Sequence, residues 1–457
     1  MSKRFAFMKT REIQLKYGNT IAETLELSSR SAATELKIKH IATLQRPEEI
    51  IQQALDKPIG SHPFNETFRG AGEALIIVPD KSRRSGSEVY LPILRKRLNQ
   101  LGISDNNLTI LVANGSHPAS TATDLRAIFP DDFSKGIKIV QHDCRNGKEL
   151  TYIGETKRGT PIFVNKLVAD AEHIIVCGTM THHYFAGYGG GPKMIMPGCA
   201  GYDSITRNHA LAIDKEQLRL HKGCRDGKIE GNPVQEDLRE AFKFINVSFL
   251  LHTILNGHDK IISAVAGEPL QAHAAGCRII DDIYRVPIAA QADLVIVSCG
   301  GHPRDINYIQ AHKALHRAFY AVRPGGVIIL LAKCAEGIGS STFMEWFEYD
   351  SPEKLHHALV HNFKLNGTTA LATMQKAREC RILAVTDLPR EVVGKLGFTP
   401  FESLMDAYGE AFRELLPFHN CRTYVIPNGA LTVPMMMKAD NAVNADSSLR
   451  SGMQPIG

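Results

Sequence analysis

The sequence predicts an α/β protein: two α/β domains with largely parallel sheets and an active-site cleft between them. Three observations carry this expectation. From residue 74 onward, short runs of Ile, Val and Leu alternate with stretches of helical spacing. The early runs each stop at a polar turn. The same strand-then-glycine pattern starts afresh just after Val286–Pro287. Strands separated by helices pair in parallel, and such sheets carry ligands at the carboxyl ends of their strands.

The elements follow in chain order. "IQLKYGN" and "AETLEL" read as short strands, and "RPEEIIQQALDK" as a helix entered at Pro47. "ALIIV" is a buried-type strand that runs into the turn "PDKSRRSG"; "EVYLPILRKRLNQLG" then has helical spacing and stops at a glycine. "LTILVA" leads into "NGSHPAS", and "AEHIIVCG" leads into "THHYFAGYGGGPKMIMPGCAGYDSITRNH". "GEPLQAHAAGCRIIDDIY" reads as a long connecting helix. Beyond it come the strand "ADLVIVSCGG", the helix "RDINYIQAHKALHRAFYAV" and the strand "GGVIILLAKC". Domains are therefore expected at residues 1–285 and 286–437. The aperiodic stretch 438–457 is expected to be a disordered tail.

Composition narrows the function classes. A chain of 457 residues has room for two or three cores, and 44% hydrophobic with 22% charged residues is ordinary for a soluble protein. The 53 basic and 48 acidic residues leave a net charge of +5, too weak and dispersed to indicate nucleic acid as a partner. No apolar run suits a signal peptide or a membrane span. Nine cysteines without a C-x-x-C pair point to reduced thiols and a cytoplasmic protein.

Three groups of residues offer chemistry. "GYGGGPK" is not a phosphate-binding P-loop, because Pro192 precedes Lys193 and Met194 follows it. Pro192 instead suits the first position of a short helix, with Lys193 at its amino end, where free amides favour anions. The glycines there, Gly190 and Gly191 among them, let a backbone approach a ligand; the alternative is an exposed loop with an incidental lysine. His209 lies in "YDSITRNHALAI", where Asp203 or Ser204 can cap a helix. Imidazole binds nickel, copper and zinc, yet clustered Cys/His spacings are absent. A single histidine on a metal that brings its own organic ligands stands beside the plainer reading of a packed or surface residue. His117 and His183 each end a strand-turn facing one crevice, and two bases suit a reaction on either side of one carbon. Asp80 and Arg83 follow the first strand, and an arginine fork grips a carboxylate. Gln310 and Lys313 lie three apart on one helix face. Either pair reads equally as a solvated surface.

Together these residues resemble the nickel-dependent lactate racemases and their hydroxyacid racemase and epimerase relatives. "PDKSR" is similar to the family's Asp-x-Thr-Arg turn, with Ser82 in place of Thr, and "ANGSH" to its Asn-Gly-Thr-His turn. The long glycine stretch resembles the family signature, in which His, Lys and His are spaced by ten and sixteen positions; that spacing selects His183 over His182. "GNPVQEDLREA", "GGHPRDINYIQAHKAL" and "VIPNGALTVP" also look like family segments.

The resemblance implies roles. Lys193 would carry a nickel-pincer nucleotide (nickel with pyridinium-3,5-bisthiocarboxylic acid mononucleotide) as a thioamide, installed by cofactor-maturation enzymes. His209 would be the protein's nickel ligand, and Asp80, Gly190 and Gly191 would lie against the cofactor, with orientation of Arg83 a second role for Asp80. His117 and His183 would be the acid–base pair, and Arg83, Gln310 and Lys313 would bind the substrate carboxylate and its neighbouring oxygen. The implied reaction moves the C2 hydrogen of a 2-hydroxy acid as hydride, which avoids building negative charge beside a carboxylate. Ile309 stands where the family pattern has a tyrosine before the glutamine, and Trp346 lies in a different context from the family's active-site tryptophan. Both differences point away from lactate, toward a larger or more polar hydroxyacid such as a sugar acid or a dicarboxylate. Two other readings compete: a nicotinamide-dependent hydroxyacid oxidoreductase, which needs a G-x-G-x-x-G turn that is missing, and a non-catalytic anion-binding homologue with an unmodified Lys193.

Overall fold

The apolar run at Ala74–Pro79 is buried at every position, as a strand covered on both faces must be. In the computed structural model, which describes residues 10–28, 33–42, 45–130, 133, 135–415 and 421–437, it is central to a six-stranded sheet. The tail expected from residue 438 lies outside the described residues.

Two units divide the chain. The larger comprises His40–Ile283 and Glu353–Thr368; the other comprises Met1–Lys39, Tyr284–Pro352 and Thr369–Gly457. The larger unit's sheet runs, edge to edge, Ile261–Gly267, Phe249–Leu255, Ile174–Thr179, Ala74–Pro79, Leu108–Ala113 and Lys138–Gln141. All neighbours pair in parallel except the antiparallel edge strand Ile261–Gly267. Alternation sends Ile77, Leu111 and Val176 into one core, and Ile76, Val78, Ile110 and Val112 into the other. Strand order reverses between Ala74–Pro79 and Ile174–Thr179, so the carboxyl ends of those two strands open the crevice where sheets of this kind bind ligands.

The second unit holds an all-parallel six-stranded sheet in the order Thr399–Phe401, Arg381–Val385, Val322–Leu331, Ala292–Ser298, Thr423–Ile426, Ala33–Glu35. Its composition differs from the expected division at residue 285. Ala33–Glu35 pairs with Thr423–Ile426, and Ile13 and Leu15 of the hairpin Thr10–Ser28 enter the core beside Leu294 and Ile296. Residues 10–28 and 33–39 therefore belong with the later part of the chain. The segment Glu353–Thr368 crosses the other way, with Leu365 in the larger unit's core. Both departures are pairings across hundreds of residues, which local spacing does not encode.

The anticipated helices form at Pro47–Asp56, Ser87–Gln100, Pro269–Tyr284 and Tyr308–Ala321. All nine cysteines are free thiols, eight of them buried. Among the described residues no helix is long and apolar enough to cross a membrane.

Candidate active site

At the switch point, the turn after Ala74–Pro79 presents Asp80. Its Oδ2 lies 2.6 Å from His117 Nδ1, and Ser82 Oγ donates to its Oδ1 at 2.7 Å. The Arg83 amide closes the turn on the Asp80 carbonyl. Burial alone would raise the Asp80 carboxyl, but the charge and hydrogen bond of His117, then Arg83 and Ser82, outweigh it and hold the pKa at about 2. An ionised carboxylate accepts from Nδ1–H, so the outward nitrogen of His117 is Nε2. Beyond the roles the resemblance implies for it, at the nucleotide or orienting Arg83, the Asp80 carboxylate is engaged by His117 and Ser82.

The turn bearing His117 is stitched to the lysine segment. Gly115, in the left-handed region at φ +56, donates its N–H to the Gly198 carbonyl at 2.9 Å. Asn114 Nδ2 ties the same turn to the His142 carbonyl. The turn and the glycine stretch thus share one framework.

Across the switch point, Ile174–Thr179 leads into a two-residue hairpin, His182–His183 against Gly187–Tyr188. His183 is half-buried and accepts the Ala186 N–H at Nδ1. His182 is buried on Asp281, which supports the choice of His183 as the histidine open to chemistry. Phe185 then forms a hub. Its ring centroid lies 4.6 Å from that of His183, 5.0 Å from that of His209 and 5.4 Å from Lys193 Nζ. Asn232 Nδ2 donates to the Phe185 carbonyl at 2.9 Å, while Asn232 Oδ1 caps the helix Pro233–Phe242. The "GNPVQEDL" segment therefore sets the position of this ring.

Lys193 sits in a 3₁₀ turn, Gly191–Met194, with Pro192 at its second position rather than the expected first, because Gly191 already belongs to the turn. Burial and then the Arg83 charge hold its amine well below the usual lysine range. The same Arg83 thus lies close to Lys193. His209 lies near the end of the helix Tyr202–Ala210, whose N-cap is Gly201; Asp203 and Ser204 fall inside the first turn, and Ser204 Oγ accepts from the Phe163 amide. Burial, then the Lys193 charge, lowers the His209 imidazole to about 3; the Ile205 carbonyl opposes this weakly without closing a hydrogen bond to Nδ1. His209 is therefore neutral at physiological pH, the form that ligates metals.

The glycines have a reason that the sequence alone concealed. At Gly190, φ +71, a Cβ would come within 2.5 Å of His252 Cδ2; at Gly191, φ +53, within 2.4 Å of His273 Cδ2. His252 Nε2 accepts the Gly191 N–H at 2.7 Å, and His273 Nε2 bonds the Gly189 carbonyl at 3.2 Å. Both rings are fully buried, and burial lowers them to about 3 and about 4. Gly190 and Gly191 thus admit two histidines from within the protein, rather than only a ligand from outside. In the second unit, Gln310 and Lys313 share the helix Tyr308–Ala321, with Lys313 Nζ donating to Gln310 Oε1 at 2.5 Å.

Comparison with known proteins shows the family. Residues 17–220 match the Lactate racemase N-terminal domain, and residues 288–433 the Lactate racemase C-terminal domain. A lactate racemase of Thermoanaerobacterium thermosaccharolyticum is 31% identical over 396 residues, 84% of this chain and 90% of that protein. One from Lactiplantibacillus plantarum is 33% identical over 296 residues, 65% of this chain and 68% of that protein. The solved lactate racemase apoprotein from T. thermosaccharolyticum superimposes with a TM-score of 0.83 at 30% identity, covering 93% of this chain and all of the other. A Thermotoga maritima protein shares the fold at 17% identity, with a TM-score of 0.67 over 87% of this chain and all of its own.

Proposed function

This chain belongs to the lactate racemase family and is an isomerase; we propose that it inverts C2 of a 2-hydroxy acid, with His117 and His183 exchanging the hydroxyl proton. The observation that carries the reading is the gathering of His183, His209 and Lys193 on the Phe185 ring, in the strand-turn beside the Asp80–His117 pair. A structural loop has no need of a buried lysine and a neutral histidine on one aromatic face.

The residues also fit the family's cofactor. Burial disfavours the charged form of the Lys193 amine, and the neutral form is the one that bonds covalently to an acyl or thioacyl carbon. His209 offers a neutral imidazole to a metal. Among the described residues no cluster of three or more His, Cys, Asp or Glu could hold a metal ion, so nickel at His209 would take its remaining ligands from the tethered nucleotide. We assign Lys193 as the attachment point and His209 as the nickel ligand; when bound, the nickel-pincer nucleotide supplies a reversible hydride acceptor for C2.

The chain's own residues do the rest. His117, its Nδ1 committed to Asp80, works through Nε2 as base toward one configuration, and the carboxylate stabilises the imidazolium that forms. His183 is assigned to the other configuration; while its Nδ1 accepts the Ala186 N–H its Nε2 carries the proton, so it takes up the hydroxyl proton only with that bond given up and Nδ1 protonated. Arg83 grips the substrate carboxylate, and Gln310 and Lys313 are the second unit's candidate substrate-binding residues. Ile309 in place of the family's tyrosine favours a larger or more polar 2-hydroxy acid over lactate. We place the reaction in the cytoplasm, with cofactor-maturation enzymes as the protein's partners.

The test is intact-mass and peptide mapping of protein made with and without the cofactor-producing enzymes. It is followed by chiral analysis of short aliphatic, aromatic, dicarboxylic and sugar 2-hydroxy acids. The expected result is an adduct on Lys193 and inversion of at least one class. An unmodified Lys193 in protein that still oxidises hydroxy acids with free nicotinamide would favour the oxidoreductase reading instead.

A further inference from the structure

The hairpin bearing His183 has two residues in each strand, too few to hold a fixed shape unaided. What holds it comes from elsewhere in the larger unit. The register pairs His182 with Tyr188 and His183 with Gly187. Successive pairs face opposite sides, so whatever grips the first pair aims the second. One carboxylate grips the first pair. Asp281 Oδ1 lies 2.8 Å from His182 Nε2, and Tyr188 Oη donates to Asp281 Oδ2 at 2.8 Å. The two rings it joins lie 5.4 Å apart. Asp281 sits on the long helix Pro269–Tyr284, and His273, two turns earlier on the same stripe, holds the Gly189 carbonyl. The helix thus fixes the hairpin at one point and the loop leading to Lys193 at another.

We propose that Asp281 is a positioning residue for His183: by clamping both hairpin strands from behind, it sets the direction of the His183 Nε2 that faces substrate. The proposal rests on the assignment of His183 as an acid–base group. A carboxylate binding two donors on neighbouring strands resists twisting of the hairpin, which neither donor alone prevents. Loss of the clamp leaves His183 with its Ala186 bond and the hairpin with its ties at Phe185 and Gly187, but frees the end that carries His182 and Tyr188 to twist about them.

The experiment compares wild type, Asp281→Asn and Tyr188→Phe. In the unloaded proteins, the His183 Cε1–H signal, assigned by its loss in His183→Gln, is sharp in wild type. It broadens or splits in Asp281→Asn, while the His117 signal is unchanged. In the loaded proteins kcat falls about 10- to 100-fold in Asp281→Asn with KM within twofold. It falls about fivefold in Tyr188→Phe, which removes one arm of the clamp. A wild-type His183 signal together with wild-type kcat in Asp281→Asn overturns the proposal. If that variant does not fold, the same result in Tyr188→Phe overturns it. Failure of the underlying reading shows separately, as full activity in His183→Gln.

Discussion

Asp80→Asn isolates what a charge contributes to His117. Asparagine keeps an oxygen that accepts from the imidazole Nδ1–H, and its shape fits the same turn, so the perturbation removes charge and little else. The Asp80 carboxyl moves from its ordinary 3.8 down to about 2 despite a burial that pushes it upward. That net shift corresponds to roughly 2–3 kcal/mol in favour of the ionised form, of which His117 supplies the largest favourable part. An imidazolium formed in the transition state loses stabilisation of this order when the carboxylate goes, so kcat should fall about 60-fold in both directions. Chiral chromatography of product formed from each enantiomer measures this directly. Nitrogen NMR of the unloaded variant reports whether Nδ1 still carries the proton. A variant that keeps more than a third of wild-type kcat in both directions, with Nδ1 still protonated, would show that the short Asp80–His117 contact has no part in the chemistry.

Acid should loosen the glycine stretch. His252 and His273 titrate at about 3 and about 4 in the folded chain, against about 6.5 when unfolded. Their neutral forms therefore favour folding fully above pH 6.5, and the contribution drains away as pH falls toward those folded values. At pH 5 the loss is roughly 2 kcal/mol for each ring. Urea midpoints at pH 7.5 and pH 5 should differ accordingly, and equal midpoints would argue against it. Gly191→Ala places a Cβ against His273 in a left-handed backbone and should cost at least about 2 kcal/mol, with loss of the Lys193 adduct by intact mass. An adduct at wild-type yield would refute this. Asn232→Ala removes both a helix cap and the Phe185 carbonyl bond. Thermal melts should show a loss of about 1–2 kcal/mol, and an unchanged melting temperature would deny the cap its importance.

The reach of the sequence can be judged from particular residues. "ALIIV", "LTILVA" and "AEHIIVCG" are legible as strands because their neighbours break them with polar turns, and the turns then name Asp80, His117 and His183. The spacing of the family signature separates His183 from His182, and the structure buries His182 on Asp281. The supporting cast is not legible. His252 lies within the strand Phe249–Leu255, where a lone histidine reads as incidental, and it reaches Gly191 across 61 positions. His273 and Asp281 sit on a helix whose spacing shows only that it is amphipathic, and they act across 84 and 99 positions. Phe185 reads as one more apolar residue, although three candidate functional groups pack on its ring. Such contacts come from tertiary packing, and no local period records them.

The claim on which most depends is that two imidazoles, from two neighbouring turns, share one inversion. Purified His117→Gln and His183→Gln, each with a wild-type melting temperature and a wild-type mass shift on Lys193, can be given each enantiomer of the accepted hydroxy acid in turn. Chiral separation should find no interconversion by either protein. Sustained inversion by either one at more than about a tenth of the normal rate would contradict a two-histidine site.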